Sequence, residues 1–213
     1  MMKLKVSGLY NHRIIKQLNE LGIASYEFDF RPRSFNFIQK YVLEEIIKEI
    51  NLSERLFLHF ANEPDFMIQD TLSVFKDSEH QVSLMFSDDQ DVSFYEQFDT
   101  PFFWHYRPEA LSKNILKSRN LAGVVFDIEF LNDVLNKGNL LNFYSNFLQM
   151  TRGRDLSIVI NIDWDGAVSS EILELFSPDF LDVAIGPKVE ICYRNVDSKK
   201  IENSIKFLKN HTC

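Results

Sequence analysis

The sequence predicts an α/β chain closed into a (β/α)8 TIM barrel, a single domain over residues 1–213, and three observations carry that prediction. Its 213 residues suit one large domain, because α/β barrels of roughly 200–250 residues are routinely single units. Eight short apolar runs recur along the chain. Each is followed by a longer amphipathic stretch, and strands that alternate with helices pair in parallel. An open doubly wound sheet is the rival arrangement, but eight units in this length favour closure.

The first unit joins "LKVSG" to "NHRIIKQLNELG", where Ile14, Ile15, Leu18 and Leu21 fall at helical spacing. In the second, "ASYEFDF" leads to "NFIQKYVLEEIIKEI", with Phe37, Tyr41, Ile46 and Ile47 near one face and Lys and Glu solvating the other. "LFLHF" precedes "EPDFMIQDTLSVF", "QVSLMF" precedes "DQDVSFYEQF", and "TPFFWH" precedes "PEALSKNILKS". The sixth strand, "AGVVFD", is followed by a loop around "NKGN", which holds Gly138, and then by "NLLNFYSNFLQM". "SIVINI" leads to "SSEILELF". The last strand, "FLDVAIG", leads to "DSKKIENSIKFLKN", which opens on an Asp/Ser cap signal and carries Ile201, Ile205 and Leu208. Phe94, Phe98, Phe102 and Phe103 read as core rather than interface.

Composition narrows the function classes. Hydrophobic residues make up 45% of the chain and 20 are Phe, enough for a sizeable core. With 31 acidic and 23 basic side chains, the net charge of -8 argues against nucleic acid as a general partner. No apolar run approaches the ~20 residues that span a bilayer, and "MMKLKV" lacks the apolar core of a secretory signal. The two cysteines, Cys192 and Cys213, make no disulfide framework. A cytoplasmic protein with neither nucleic-acid nor membrane partners is expected.

In such a barrel, chemistry gathers where strands end. The polar residues there are Ser7, Asp29, Arg31, His59, Asp88, His105, Asp127, Asn161, Asp163 and Asp182. Asp127 follows a buried apolar run, where burial would raise its pKa and suit it to general-acid work; the alternative is a carboxylate that caps the next segment. Asp182 lies inside a strand, so pairing with a nearby Lys or Arg is expected. His59 and His105 lack zinc-motif spacing, and no Gly-rich dinucleotide or Walker loop is present, so neither metal nor cofactor is expected. "FRPRS" and "HYRPEA" are arginine-bearing rims able to meet an anion.

The ordered segments resemble phosphoribosylanthranilate isomerase, a (β/α)8 family of tryptophan biosynthesis. Lys5-Val6-Ser7-Gly8 stands where that family has Lys-Ile-Cys-Gly. Phe28, Phe30, Pro32 and Ser34 keep its Phe-x-Phe-x-Pro-x-Ser-x-Arg pattern, and Asn62-Glu63-Pro64 matches its third loop. Val125-Phe126-Asp127 is similar to its Leu-Leu-Asp strand end. Leu181-Asp182-Val183-Ala184-Ile185-Gly186, Val189-Glu190 and Asp197 echo its last strand and the residues after it. The resemblance implies an Amadori rearrangement of N-(5-phosphoribosyl)anthranilate. It places Asp127 at the general-acid position and Ser7 at the base position, which the family fills with cysteine.

Departures from the family pattern cluster at the same end. A serine hydroxyl loses its proton far less readily than a thiol, so Ser7 needs an adjacent base. Asn36 replaces the family's arginine, with Arg31 and Arg33 as nearby substitutes. Asn161-Ile162-Asp163-Trp164 replaces a Gly-Gly phosphate-binding turn, and Ala184-Ile185-Gly186 replaces Ser-Ser-Gly. The chain is therefore expected to be a diverged barrel, its family reaction weakened or lost, that binds a small phosphorylated or anionic ligand or a partner protein. The predicted ligand-contacting residues are Arg31, Arg33, Asn36, Asn161, Asp163, Asp182 and Gly186. The alternatives are an active isomerase using Asp127 and Ser7, and a barrel enzyme of different chemistry with Asp127, Asp163 and Asp182 around a divalent cation.

Overall fold

The computed structural model describes residues 2–108, 112–151 and 154–212, so Cys213 and part of the "PEALSKNILKS" stretch lie outside the described residues. Eight parallel strands close in chain order into a barrel: β1 (Lys3–Ser7), β2 (Ser25–Asp29), β3 (Arg55–Phe60), β4 (Gln81–Phe86), β5 (Phe102–His105), β6 (Leu121–Asp127), β7 (Ser157–Ile162) and β8 (Phe180–Ala184). Closure is made by β1 against β8, in register from Lys3↔Phe180 to Ser7↔Ala184. All eight predicted strands are present.

Strand side chains alternate between two faces, and each face has its own core. Val6, Tyr26, Phe28, Leu58, Phe86, Trp104 and Phe126 point outward and meet the surrounding helices. Phe57, Met85, Phe103, Val125, Val159 and Phe180 point inward and form an apolar floor inside the barrel. The Arg55 guanidinium lies 5.3–5.4 Å from the ring centroids of Phe57, Phe103 and Phe180, closing the floor from below. Above the floor, the inward positions are polar.

The helices mostly follow the predicted pattern. α1 (His12–Glu20) buries Ile14, Ile15 and Leu18, and its N-cap Asn11 accepts from the Ile14 amide at 3.1 Å. Asn11→Ala should cost about 1 kcal/mol, read as a lowered urea midpoint with unchanged slope. α2 (Lys40–Ile46) starts later than its apolar pattern suggests, because Ile38 N donates to Asp29 O and Asn36 is tied to Ile185. The helical phase shifts with that start. Leu43 and Ile46 face the core, and Tyr41, expected on that face, is 62% exposed.

α3 (Asp65–Leu72), α4 (Val92–Glu96) and α5 (Ser112–Ile115) follow strands three to five. Two helices, α6 (Ile128–Asn136) and α7 (Leu140–Thr151), stand between β6 and β7. β6 runs directly into α6, so "NKGN" is a helix-to-helix turn rather than the loop after the strand, with Gly138 at φ +69°. α8 (Ser170–Phe176) precedes β8. After β8 comes a two-stranded hairpin, β9 (Glu190–Cys192) and β10 (Asn195–Val196), and then α9 (Ser198–Thr212), which buries Ile201, Ile205 and Leu208. Among the described residues, no helix is long and apolar enough to cross a membrane.

Candidate functional site

Alternation along β1, β2 and β8 brings Lys5, Glu27 and Asp182 together just above the apolar floor. The Lys5 ammonium is fully buried. It donates to Glu27 Oε2, to Asp182 Oδ2 at 2.8 Å and to Ser7 Oγ at 2.9 Å. Burial alone would lower the Lys5 pKa, but Asp182 and Glu27 outweigh it and hold the pKa above its usual value. Glu27, despite its burial, is held well below the usual carboxylate range by Lys5 and His59. For Asp182 burial wins over Lys5 and, with repulsion from Glu27, raises its pKa. The expected Asp182–lysine pairing is therefore present, and its partner is Lys5.

Ser7 tops this layer. Its hydroxyl donates to Asp182 Oδ1 and lies 3.1 Å from Glu27 Oε2. The carboxylates beside Ser7, which the sequence does not reveal, come from strands two and eight.

Glu27 also organises a histidine pair. Its Oε1 accepts from His59 Nδ1 at 2.8 Å, and the His59 ring stacks on His105 with centroids 4.8 Å apart and planes 15° from parallel. Burial, reinforced by His59, pushes the His105 pKa well below the usual imidazole value. The Nε2 atoms of both rings are buried without a hydrogen-bond partner.

The remaining predicted residues fall into two groups. Arg31, Asn36, Asp127 and Asn161 reach the mouth. Arg31 donates to Asp29 through Nε at 2.9 Å and Nη2 at 2.5 Å, and Ser34 Oγ donates to the same carboxylate. Burial opposes the Arg31 charge, and the Asp29 bond reverses that effect, raising its pKa. Asn36 is buried, and its Nδ2 donates to Ile185 O at 2.7 Å while its Oδ1 is left unpartnered. Asp127 is exposed, so the burial invoked for a general acid is missing; it sits at the N-cap of α6 and accepts from Asn161 Nδ2 at 3.0 Å.

Arg33, Asp163 and Gly186 do not line the central cavity. Arg33 is exposed. Lys188 bridges Asp163 at 2.6 Å and Asp165 at 2.7 Å. Gly186 begins the turn that Val189 and Glu190 close onto its carbonyl. The three carboxylates considered for a cation are thus engaged apart, Asp127 by Asn161, Asp163 by Lys188 and Asp182 by Lys5. Among the described residues no three His, Cys, Asp or Glu side chains are grouped to hold a metal.

A cavity of about 430 Å³ opens at the C-terminal end of the barrel over this ensemble. Ser7, Glu27, His59, His105, Asp127 and Asn161 face it, with Phe35, Ile162 and Ile185 as apolar wall. Glu27 and Lys5 escaped notice as site residues. The signal was the charge alternation of "ASYEFDF" and "LKVSG", which places ionisable groups on the inward face.

No protein-family model and no curated protein matches the chain. Solved structures do. A phosphoribosyl anthranilate isomerase in complex with reduced 1-(o-carboxyphenylamino)-1-deoxyribulose 5-phosphate superposes with TM-score 0.72 at 17% identity, covering 99% of this chain and 100% of that one. The isomerase of Thermotoga maritima gives 0.70 at 18%, with the same coverage. Orotidine 5'-monophosphate decarboxylase of Methanocaldococcus jannaschii gives 0.59 at 12% over the full length of both chains. Two different reactions thus run on this architecture. From end to end, the chain has the fold of the phosphoribosylanthranilate isomerases.

Proposed function

We propose that the chain is a barrel of the phosphoribosylanthranilate isomerase type that binds a small molecule at its mouth, its isomerisation weakened or lost. Trp164 carries this reading. Its indole is buried and donates to Ala184 O at 2.6 Å, filling the gap between the ends of β7 and β8. That turn is the one the resemblance matches to a phosphate-binding glycine pair. Asp163 and Asp165 add negative charge beside it, against the single ammonium of Lys188. A phosphate there meets a ring and two carboxylates.

The backbone supports the same reading. Phosphate-binding barrels often cradle the anion at the N-terminus of a short extra helix near strands seven and eight. Here β8 leads into the β9–β10 hairpin instead. The solved isomerase was captured with a 5-phosphate ligand, so a lost phosphate grip bears directly on that substrate class.

One observation favours the second reading, an active isomerase with Asp127 as acid and Ser7 as base. The Ser7 hydroxyl donates to Asp182, and a carboxylate with a raised pKa takes a proton more readily. Complementation of a tryptophan auxotroph lacking this step separates the two. The expected outcome is no growth, and turnover of N-(5-phosphoribosyl)anthranilate by the purified protein no faster than by its Asp127→Asn variant. Growth that disappears with Asp127→Ala would establish the second reading.

A further inference from the structure

A second cavity opens at the other end of the barrel, where the parallel strands begin. Lys3, Arg55 and Phe180 are the first residues of β1, β3 and β8, and Lys3 pairs with Phe180 in register. With the turn before β2 and Lys209 of α9, they line a cavity of about 540 Å³, of a size for one small organic molecule.

Charge there is one-sided. The chain as a whole carries a net charge of -8, yet this lining holds Lys3, Arg55 and Lys209 and no Asp or Glu. Lys209 Nζ donates to the neutral carbonyl of Leu21 at 2.7 Å. Among the described residues, neither Lys3 nor Arg55 has an ion-pair partner.

Arg55 is the informative member. Its half-buried guanidinium lies 5.3–5.4 Å from the centroids of Phe57, Phe103 and Phe180. Those rings attract its charge but supply no conventional hydrogen-bond acceptor. Asp179 acts on it electrostatically without forming an ion pair, and Asp179 Oδ2 accepts from the Ile158 amide at 3.0 Å. Burial therefore outweighs Asp179 and pulls the Arg55 pKa below its ordinary value, whereas Asp29 reverses the same effect at Arg31. Among the described residues, the Arg55 side-chain N–H groups have no acceptor. A planar fork of free donors in a partly desolvated site matches a carboxylate, which it can hold through two parallel hydrogen bonds. Met2, Leu4 and Ile23 line the same cavity and give it an apolar wall.

We infer that this cavity binds a small organic monocarboxylate with an apolar body. The carboxylate sits bidentate on Arg55, Lys3 and Lys209 attract it from the rim, and its body packs on Met2, Leu4 and Ile23. The site lies at the opposite end of the barrel from the mouth and stands independently of the proposed function.

The test is titration of the intact chain with benzoate, benzamide and inorganic phosphate, followed by calorimetry and by methyl NMR signals. Benzoate should saturate and shift the methyls of Leu4 and Ile23, while those of Ile162 and Ile185 at the mouth stay in place. It should bind roughly tenfold or more tightly than benzamide, which has the shape without the charge. The same margin is expected over inorganic phosphate, which has the charge without the ring. Arg55→Gln should weaken benzoate binding by about tenfold or more, and Arg55→Lys, which keeps the charge and loses the fork, should restore only part of it. Lys3→Gln, at an exposed position away from the phenylalanine floor, should weaken binding severalfold, and it carries the comparison where thermal melting shows that the Arg55 variants do not fold. Benzoate shifts confined to Ile162 and Ile185 would place binding at the mouth and overturn the inference. Tighter binding of phosphate than of benzoate would overturn the ligand class. So would equal binding of benzamide. No shift at Leu4 and Ile23 with any of the three, or unchanged benzoate affinity in the folded variants, would overturn the site itself.

Discussion

Lys5→Met should cost about 3–5 kcal/mol, because removing one partner of a buried ion pair leaves uncompensated charge in the interior. A loss of that size consumes much of a typical domain's stability of roughly 5–15 kcal/mol. Glu27 and Asp182 would then face each other above the phenylalanine floor, sharing Ser7 and no ammonium.

The pH dependence gives the sharper signature. In the unaltered chain, Glu27 lies below its ordinary value near 4.5, so its contribution is present above that pH and lost as pH falls through the folded pKa. Lys5 lies above 10.5, so its contribution is full below that value and lost as pH rises through the folded pKa. Asp182, raised from 3.8, acts in the opposite sense to Glu27 and favours the folded state more as it protonates. In Lys5→Met the largest of the two influences that depress Glu27 is gone, leaving only His59, and protonating either carboxylate relieves both repulsion and burial. Urea midpoints of the variant should therefore rise between pH 7 and pH 5. Adding Glu27→Gln and Asp182→Asn should recover much of the loss at pH 7. A single variant within 1 kcal/mol of the parent at both pH values would show that this layer is not ionised.

The second large effect belongs to Gly123 on β6. A Cβ built there would meet the Phe103 ring and would lie 2.5 Å from the Ser157 carbonyl oxygen. Real side chains do not approach a backbone oxygen that closely, so Gly123→Ala must displace β7 or expel the ring from the floor. We expect a loss of about 3 kcal/mol, at the upper end for overpacking. Phe103→Leu in the same chain should recover roughly half of it, since it removes the ring clash and leaves the backbone one. A double-mutant cycle that gives simple additivity would show the two residues to be uncoupled.

Much of the fold was legible because each strand is an apolar run bounded by polar or glycine residues, as in "AGVVFD" and "SIVINI". α6 was hidden because it starts on the residue after β6, with Asp127 serving both as strand end and as N-cap. Tyr41 misled because periodicity fixes the spacing of a face and not its phase, and the phase here depends on where Asn36 and Ile38 are tied. Ser7 and Asp127 were visible as strand ends. The Lys5–Glu27–His59 chain was not, because its members come from three strands and meet only through the barrel's register. A histidine whose partner lies 32 residues away in sequence looks solitary until β2 and β3 are aligned.

The edge-to-face phenylalanines beneath Lys5, stoppered by Arg55, close the charged tier from below, while the cavity above it opens at the mouth. Water and hydronium reach Glu27 and Asp182 along the route a guest molecule must take. A ligand bound at the mouth, as proposed above, would stand across that route and slow proton exchange in the tier beneath it.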